Sequence, residues 1–138
     1  MGYLLDTCLL SEVWKPSPNE GVLDWISDSV EDELFLSVLS LGELKKGIEA
    51  LPSGKKKDRL VRDYAVLRSR FSSRIVAVNE PVAERWGELA VAAQRAGRHL
   101  HVVDGLLAAS ALVFGLTIVT RNVSDFAMTP AALLDPWD

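Results

Sequence analysis

Tyr3-Leu4-Leu5-Asp6-Thr7 is the stretch on which the fold of this chain turns. Three apolar residues run directly into an acid and a hydroxyl. A short apolar run with polar ends reads as a buried strand of a parallel sheet. Asp6 then stands at the carboxyl edge of that sheet, where open α/β folds bind their ligands. Three further acids, Glu43, Asp104 and Asp125, are expected to converge on it, and the four together to hold a divalent metal.

Beyond that strand, Thr7 or Asp6 can cap a short helix through Leu9, Leu10 and Val13, which Pro16 and Pro18 stop. Val22, Trp25, Ile26 and Val30 predict one face of a helix over 20–29. Leu34-Phe35-Leu36 is a second strand. The helix after it, over 37–51, turns Leu41, Leu44, Ile48 and Leu51 inward and breaks at Pro52. The next, over 55–71, does the same with Leu60, Tyr64, Leu67 and Phe71. Ile75-Val76-Ala77-Val78 is a third strand, β-branched at alternate positions. Asn79 caps a helix with Pro81 in its first turn and Gly97 beyond its end. From Asp104 to Phe114 the chain is apolar nearly all round, as in a buried central helix, and Gly115 stops it. Leu116-Thr117-Ile118-Val119 is a fourth strand leading into Thr120-Arg121-Asn122, and Ala132-Leu133-Leu134 adds a short fifth. Strands alternating with helices predict an α/β fold, its parallel sheet covered on both faces.

The 138 residues suit one domain, 1–138, and no linker is long enough to divide them. Hydrophobic residues make up 49% and charged residues 25%, an ordinary globular balance that excludes a disordered or fibrous chain. No apolar run approaches the ~20 residues of a membrane span, and no basic leader opens the chain. The one cysteine, Cys8, cannot form an internal disulfide, so a cytoplasmic location is expected. A net charge of −4 argues against coating nucleic acid by bulk charge while leaving local basic patches open.

Each of the four acids falls where a strand ends or a helix begins. In a parallel sheet those points share one side of the molecule. Two like charges ~4 Å apart repel by about 4 kcal/mol at an effective dielectric near 20. A cation or bound protons must offset that repulsion. An all-oxygen set favours Mg²⁺ or Mn²⁺ over zinc, and no Cys/His spacing suggests a zinc site. Each acid also has a plainer reading. Ser40 with Glu43 makes a capping box, Asp104 an N-cap, and Asp125 or Asn122 a turn residue. Joint placement favours the metal. Cys8 reads as a small buried hydrophobe, and Trp14, Trp25, Trp86 and Trp137 as core or dimer-interface residues.

At these residues the sequence resembles the PIN-domain ribonucleases, in particular the VapC-type toxins and their FitB-like branch. The matching pieces are Tyr3-Leu4-Leu5-Asp6-Thr7 with Leu10-Ser11-Glu12, the segment 37–47 around Glu43, Val103-Asp104-Gly105-Leu106-Leu107-Ala108-Ala109-Ser110-Ala111, and Val119-Thr120-Arg121-Asn122-Val123-Ser124-Asp125-Phe126. Pro136-Trp137 completes the set. Each motif alone is weakly specific; four in order are strongly specific. The resemblance implies a three-layer α/β/α sandwich about a parallel sheet of about five strands. It implies Mg²⁺-dependent RNA cleavage, with Mn²⁺ as substitute, and a homodimer. It further implies a cognate VapB/FitA-like antitoxin that blocks the acidic pocket and alone contacts operator DNA. The family's acids fall on Asp6, Glu43 and Asp104. The fourth position lies between Asn122 and Asp125, of which only Asp125 is charged. Cys8 departs from the asparagine the family often carries there, and a thiol cannot reproduce an amide's paired donor and acceptor.

On that reading Asp6 and Asp104 ligate the main ion, and Glu43 and Asp125 hold its waters or a second ion. A metal-activated water then hydrolyses the phosphodiester. Thr7 and Thr120 orient a water or a phosphate oxygen, or else cap a helix. Arg121 is the first candidate for phosphate contact. The run Lys55, Lys56, Lys57, Arg59 and Arg62, with Arg68, Arg70 and Arg74 beyond it, is a solvated face or a contact for RNA or antitoxin. Arg98, His99 and His101 are candidates for the pocket rim. Three rivals stand beside this: a receiver-like Mg²⁺-binding signalling domain, a haloacid-dehalogenase-like phosphatase, and a catalytically weak PIN-fold scaffold. The first wants a paired acid beside Asp6 and a late lysine, where Thr7 and Thr120-Arg121 stand. The second wants Asp-x-Asp, where Asp6-Thr7-Cys8 stands.

Overall fold

The computed structural model describes residues 2–137. Five strands form one parallel sheet: β1 (Gly2–Leu5), β2 (Leu34–Ser37), β3 (Ile75–Val76), β4 (Leu116–Val119) and β5 (Leu133–Leu134), in the order β3-β2-β1-β4-β5. The helices are α1 (Thr7–Val13), α2 (Glu20–Asp28), α3 (Val38–Glu49), α4 (Lys55–Arg70), α5 (Glu80–Arg95), α6 (Val102–Phe114) and α7 (Val123–Phe126). A 3₁₀ turn spans Glu31–Glu33.

Alternation along the strands builds two cores. Leu4 and Ile118 face one way, joining Val82, Leu89, Leu107 and Phe126 from α5, α6 and α7. Their chain neighbours Leu5 and Val119 face the other way, joining Leu9, Val22, Leu41 and Phe71 from the α1–α4 side. A sheet buried on both faces explains why its strands read as apolar runs rather than alternating ones. The expected three-layer sandwich is therefore the one observed. Tight α5–α6 packing depends on Gly105, where an added Cβ would lie 2.8 Å from Trp86. Gly115, at φ 67°, supplies the left-handed turn that ends α6.

Element ends depart from expectation for identifiable reasons. β3 stops at Val76 because its partner β2 ends at Ser37, whose hydroxyl accepts from Leu39 N and caps α3. Ala77 and Val78 thus have no ladder to join. α2 stops at Asp28, and Val30 lies beyond it, 61% exposed rather than on the inner face. α6 begins at Val102, so Asp104 is its third residue and not its N-cap. Asp125 lies not in an open loop but as the third residue of α7. The four tryptophans are partly buried, with Trp86 against one core and Trp14, Trp25 and Trp137 against the other.

The strand order fixes where the site lies. From β1 the chain steps through β2 to β3 on one side, then crosses to β4 and β5 on the other. The carboxyl ends of β1 and β4 are therefore the switch point, the crevice that open α/β sheets use for ligands.

Candidate active site

Asp6 leaves β1 at that crevice and is nearly buried, at 9% exposure. Its backbone N–H continues the sheet by donating to Val119 O at 3.0 Å. Its side chain caps α1, Oδ1 accepting from Thr7 N at 2.8 Å. Oδ2 accepts from Thr120 Oγ1 at 2.8 Å and from the Cys8 thiol at 3.5 Å. Three donors from two elements fix the orientation of one carboxylate.

Thr120 closes β4 and is fully buried. Besides donating to Asp6, its hydroxyl accepts from Asn122 N at 3.0 Å, which sets the turn leading into α7. The Asn122 side chain makes no cap on that helix. Thr7, at the start of α1, donates its hydroxyl to Glu43 Oε1 at 2.6 Å and so ties α3 to the end of β1. The Ser40–Glu43 capping box does not form: Ser37 caps α3, and Ser40 is buried with its hydroxyl unpaired. Glu43 instead faces the crevice.

Asp104 enters from the first turn of α6, half-buried. Burial pushes its pKa up from the ordinary 3.8. The charges of Asp125 and Asp6 raise it further, His101 opposes them, and Glu43 adds to the rise. Four acids from four separated segments thus share one electrostatic neighbourhood. Among the described residues, neither Asp6 nor Asp104 is held in an ion pair. Among them too, no three His, Cys, Asp or Glu side chains stand close enough to enclose an ion as they are placed. The donor set is nonetheless all oxygen and strongly anionic, which fits a hard divalent cation. A cation would offset the repulsion that Asp104 registers.

Arg121 is exposed, its guanidinium 6.0 Å from the Trp137 ring centroid. His99 and His101 meet edge to face at 4.4 Å. Among the more distant cations, Lys57 is spent on two carbonyls at and just beyond the end of α3, those of Glu49 and Leu51. Arg70 and Arg74 are held by Glu31.

Two residues gained roles that their sequence reading lacked. Cys8 is half-buried and not a plain core residue. Its sulfur lies 3.5 Å from both Asp6 Oδ2 and Thr120 Oγ1. Its position in the first turn of α1, two residues after Asp6, was the available signal. Glu12 is buried at 6% exposure and accepts from Lys15 Nζ and Asn19 N, both at 2.9 Å. These bonds lower its pKa and fix the loop after α1. Its traces in the sequence were its place in the Leu10-Ser11-Glu12 piece of the family resemblance and the spacing Glu12-x-x-Lys15.

Comparison with known proteins agrees with this fold. A family model described as the PIN domain matches residues 3–129. Toxin FitB of Neisseria gonorrhoeae is 34% identical over 138 residues, covering 97% of this chain and 97% of that protein. The VapC ribonuclease Y4jK of Sinorhizobium fredii is 29% identical, covering 98% of this chain and 97% of that one. The solved structure of FitAB bound to an IR36 DNA fragment superposes with a TM-score of 0.93 at 31% identity, over 99% of this chain and 96% of that one. With the family's match spanning residues 3–129 and a 34% identical relative covered over nearly its whole length, this protein belongs to the PIN-domain family.

Proposed function

We propose that the protein is a metal-dependent endoribonuclease and the toxin of a toxin–antitoxin pair. One observation carries the reading: Asp6, at the carboxyl end of β1, is held by Thr7 N and Thr120, while the charges of Asp125, Asp6 and Glu43 all raise the Asp104 carboxyl. The names of the relatives, a toxin and a ribonuclease, point the same way. Asp6 and Asp104 are the residues we assign as direct metal ligands. Glu43 and Asp125 hold coordinated waters or a second ion, with Asn122 as a neutral oxygen donor beside them. The ion is Mg²⁺, with Mn²⁺ as substitute. When bound, it supplies Lewis acidity, which readies water for attack and offsets charge on the phosphoryl oxygens.

The chain's own residues do the rest. Thr120 and Thr7 N hold Asp6 in one orientation, and the Thr7 hydroxyl aims Glu43. Preset ligands of this kind need no reorganisation as charge develops. Arg121, exposed at the rim, steadies a phosphate of the substrate. The working form is a cytoplasmic homodimer. Val102, Val113 and Phe114 on α6 stand 58%, 38% and 40% exposed, apolar surface suited to a second copy. An antitoxin closes the acidic pocket and supplies the operator-DNA contact. Among the described residues, no helix is long and apolar enough to cross a membrane.

Cleavage of RNA in Mn²⁺ against the same protein in chelator tests the reading. Wild-type protein should cut only with the metal. Asp6→Asn should fall by at least a hundredfold while keeping its circular dichroism. An Asp6→Asn protein that cuts at the wild-type rate would overturn the assignment.

A further inference from the structure

A groove of about 850 Å³ runs out from Glu43 between α1, α3 and α4. Thr7 and Glu43 line its inner end. Leu44 and Ile48 of α3, with Leu51 just beyond it, supply an apolar floor, and the first two turns of α4 form the outer wall with Lys55, Lys56, Arg59 and Arg62. We propose that this groove is the path of the single-stranded RNA flanking the cut, with those four cations taking its phosphates. The proposal rests on the ribonuclease reading and adds the surface that binds the substrate.

Three observations carry it. The four cations are exposed and have no ion-pair partner among the described residues, whereas Arg70, Arg74, Lys45 and Arg85 do. Beside Glu43, the wall presents a single acid, Asp58. In a chain of net charge −4, so many unpaired cations on two turns are a local concentration. The groove also reaches one of the four acids, Glu43, and Thr7, which bonds it. A strand whose scissile phosphate sits at Asp6 and Asp104 passes Thr7 and Glu43 to reach the cations. At ~1.5 Å rise per residue, Lys55 to Arg62 spans roughly 10 Å of wall. Apolar side chains beneath a cationic wall suit a single strand, whose bases have faces to cover and whose backbone is charged. An acidic peptide would meet Glu43 at the inner end.

The test is binding of a short fluorescein-labelled single-stranded RNA of mixed sequence, by anisotropy in chelator, followed by cleavage in Mn²⁺. The triple variant Lys55→Gln/Arg59→Gln/Arg62→Gln is compared with Arg68→Gln/Arg85→Gln/Arg95→Gln, which removes equal charge from residues outside this groove. Glutamine keeps helix propensity, and melting curves check that both variants fold. The groove variant should bind about tenfold more weakly. Its slope of log affinity against log salt should fall by about 2, since each single-strand phosphate contact contributes ~0.7. In cleavage its KM should rise with kcat nearly unchanged. The control should match wild type in all three. Equal losses in both variants, or none in the groove variant, overturn the proposal. So does a groove variant that keeps RNA affinity but no longer holds the co-expressed antitoxin, which would give the groove to the protein partner. Wild-type protein that binds RNA but never cuts it fails the ribonuclease reading alone, because the groove comparison still reads out in binding.

Discussion

The Thr120 hydroxyl donates a 2.8 Å hydrogen bond to Asp6 Oδ2, joining residues 114 positions apart at the ends of β1 and β4. Thr120 Oγ1 also accepts from Asn122 N, so one buried hydroxyl links the first acid to the segment bearing the last. Thr120→Val keeps the shape but leaves a carboxylate oxygen and a backbone N–H short of a partner. A buried polar group so orphaned costs about 1–3 kcal/mol. Denaturant titration should record a loss of that size, with RNA cleavage reduced as well, and Thr120→Ser should recover most of both. Equal stability of Thr120→Val and wild type would remove Thr120 as the support of Asp6.

Asp104 gives the site a signature in pH. Burial, then the neighbouring carboxylates, hold its folded pKa above the ordinary 3.8. The folded state therefore keeps this proton to higher pH than the unfolded chain. Stability from the group falls as pH rises from the unfolded carboxyl value through the folded one, and the full cost remains above that window. In chelator at neutral pH, Asp104→Asn should melt above wild type, and the gap should close as pH drops below about 4. Mn²⁺ should reverse the ranking. An ion at a hundred times its dissociation constant stabilises by about 2.7 kcal/mol, and only the intact acid set binds it well. Differential scanning calorimetry across pH, with and without Mn²⁺, checks both halves. A wild-type melting point indifferent to millimolar Mn²⁺ would count against a competent metal site.

Sequence reading reached the fold through the apolar runs at Leu4-Leu5 and Ile118-Val119, because a sheet covered on both faces has no polar side to disguise it. For the acids it gave positions at strand ends and helix starts: Asp6 follows β1 and caps α1, and Asp104 and Asp125 lie in the first turns of α6 and α7. The missing parts depend on tertiary partners. Ala77 and Val78 look like strand residues, yet β2 has already turned into α3 beside them. Ser40 and Glu43 have capping-box spacing, yet Ser37 takes the cap and Thr7 takes Glu43. Arg70 and Arg74 belong to a basic run in sequence, but Glu31, some forty residues upstream, removes them from the free surface. No local pattern carries those distant competitors.

Cys8 supplies the last expectation. Burial raises its pKa above 9.0, the Arg121 N–H lowers it, and the Asp6 charge raises it again. The thiol thus stays protonated near neutrality and serves as a weak donor to Asp6. Alkylation by iodoacetamide requires the thiolate, so folded Cys8 should react more slowly at pH 8 than the same residue in guanidinium-unfolded protein. Asp6 Oδ2 retains Thr120 when the thiol is removed, so Cys8→Ala should cost less stability than Thr120→Val and keep cleavage within a few-fold of wild type. Rapid labelling of the native protein at neutral pH would mean that the sulfur is ionised and free. The donor role would then pass to Thr120 alone, and Asp6 would carry a second negative charge at its side.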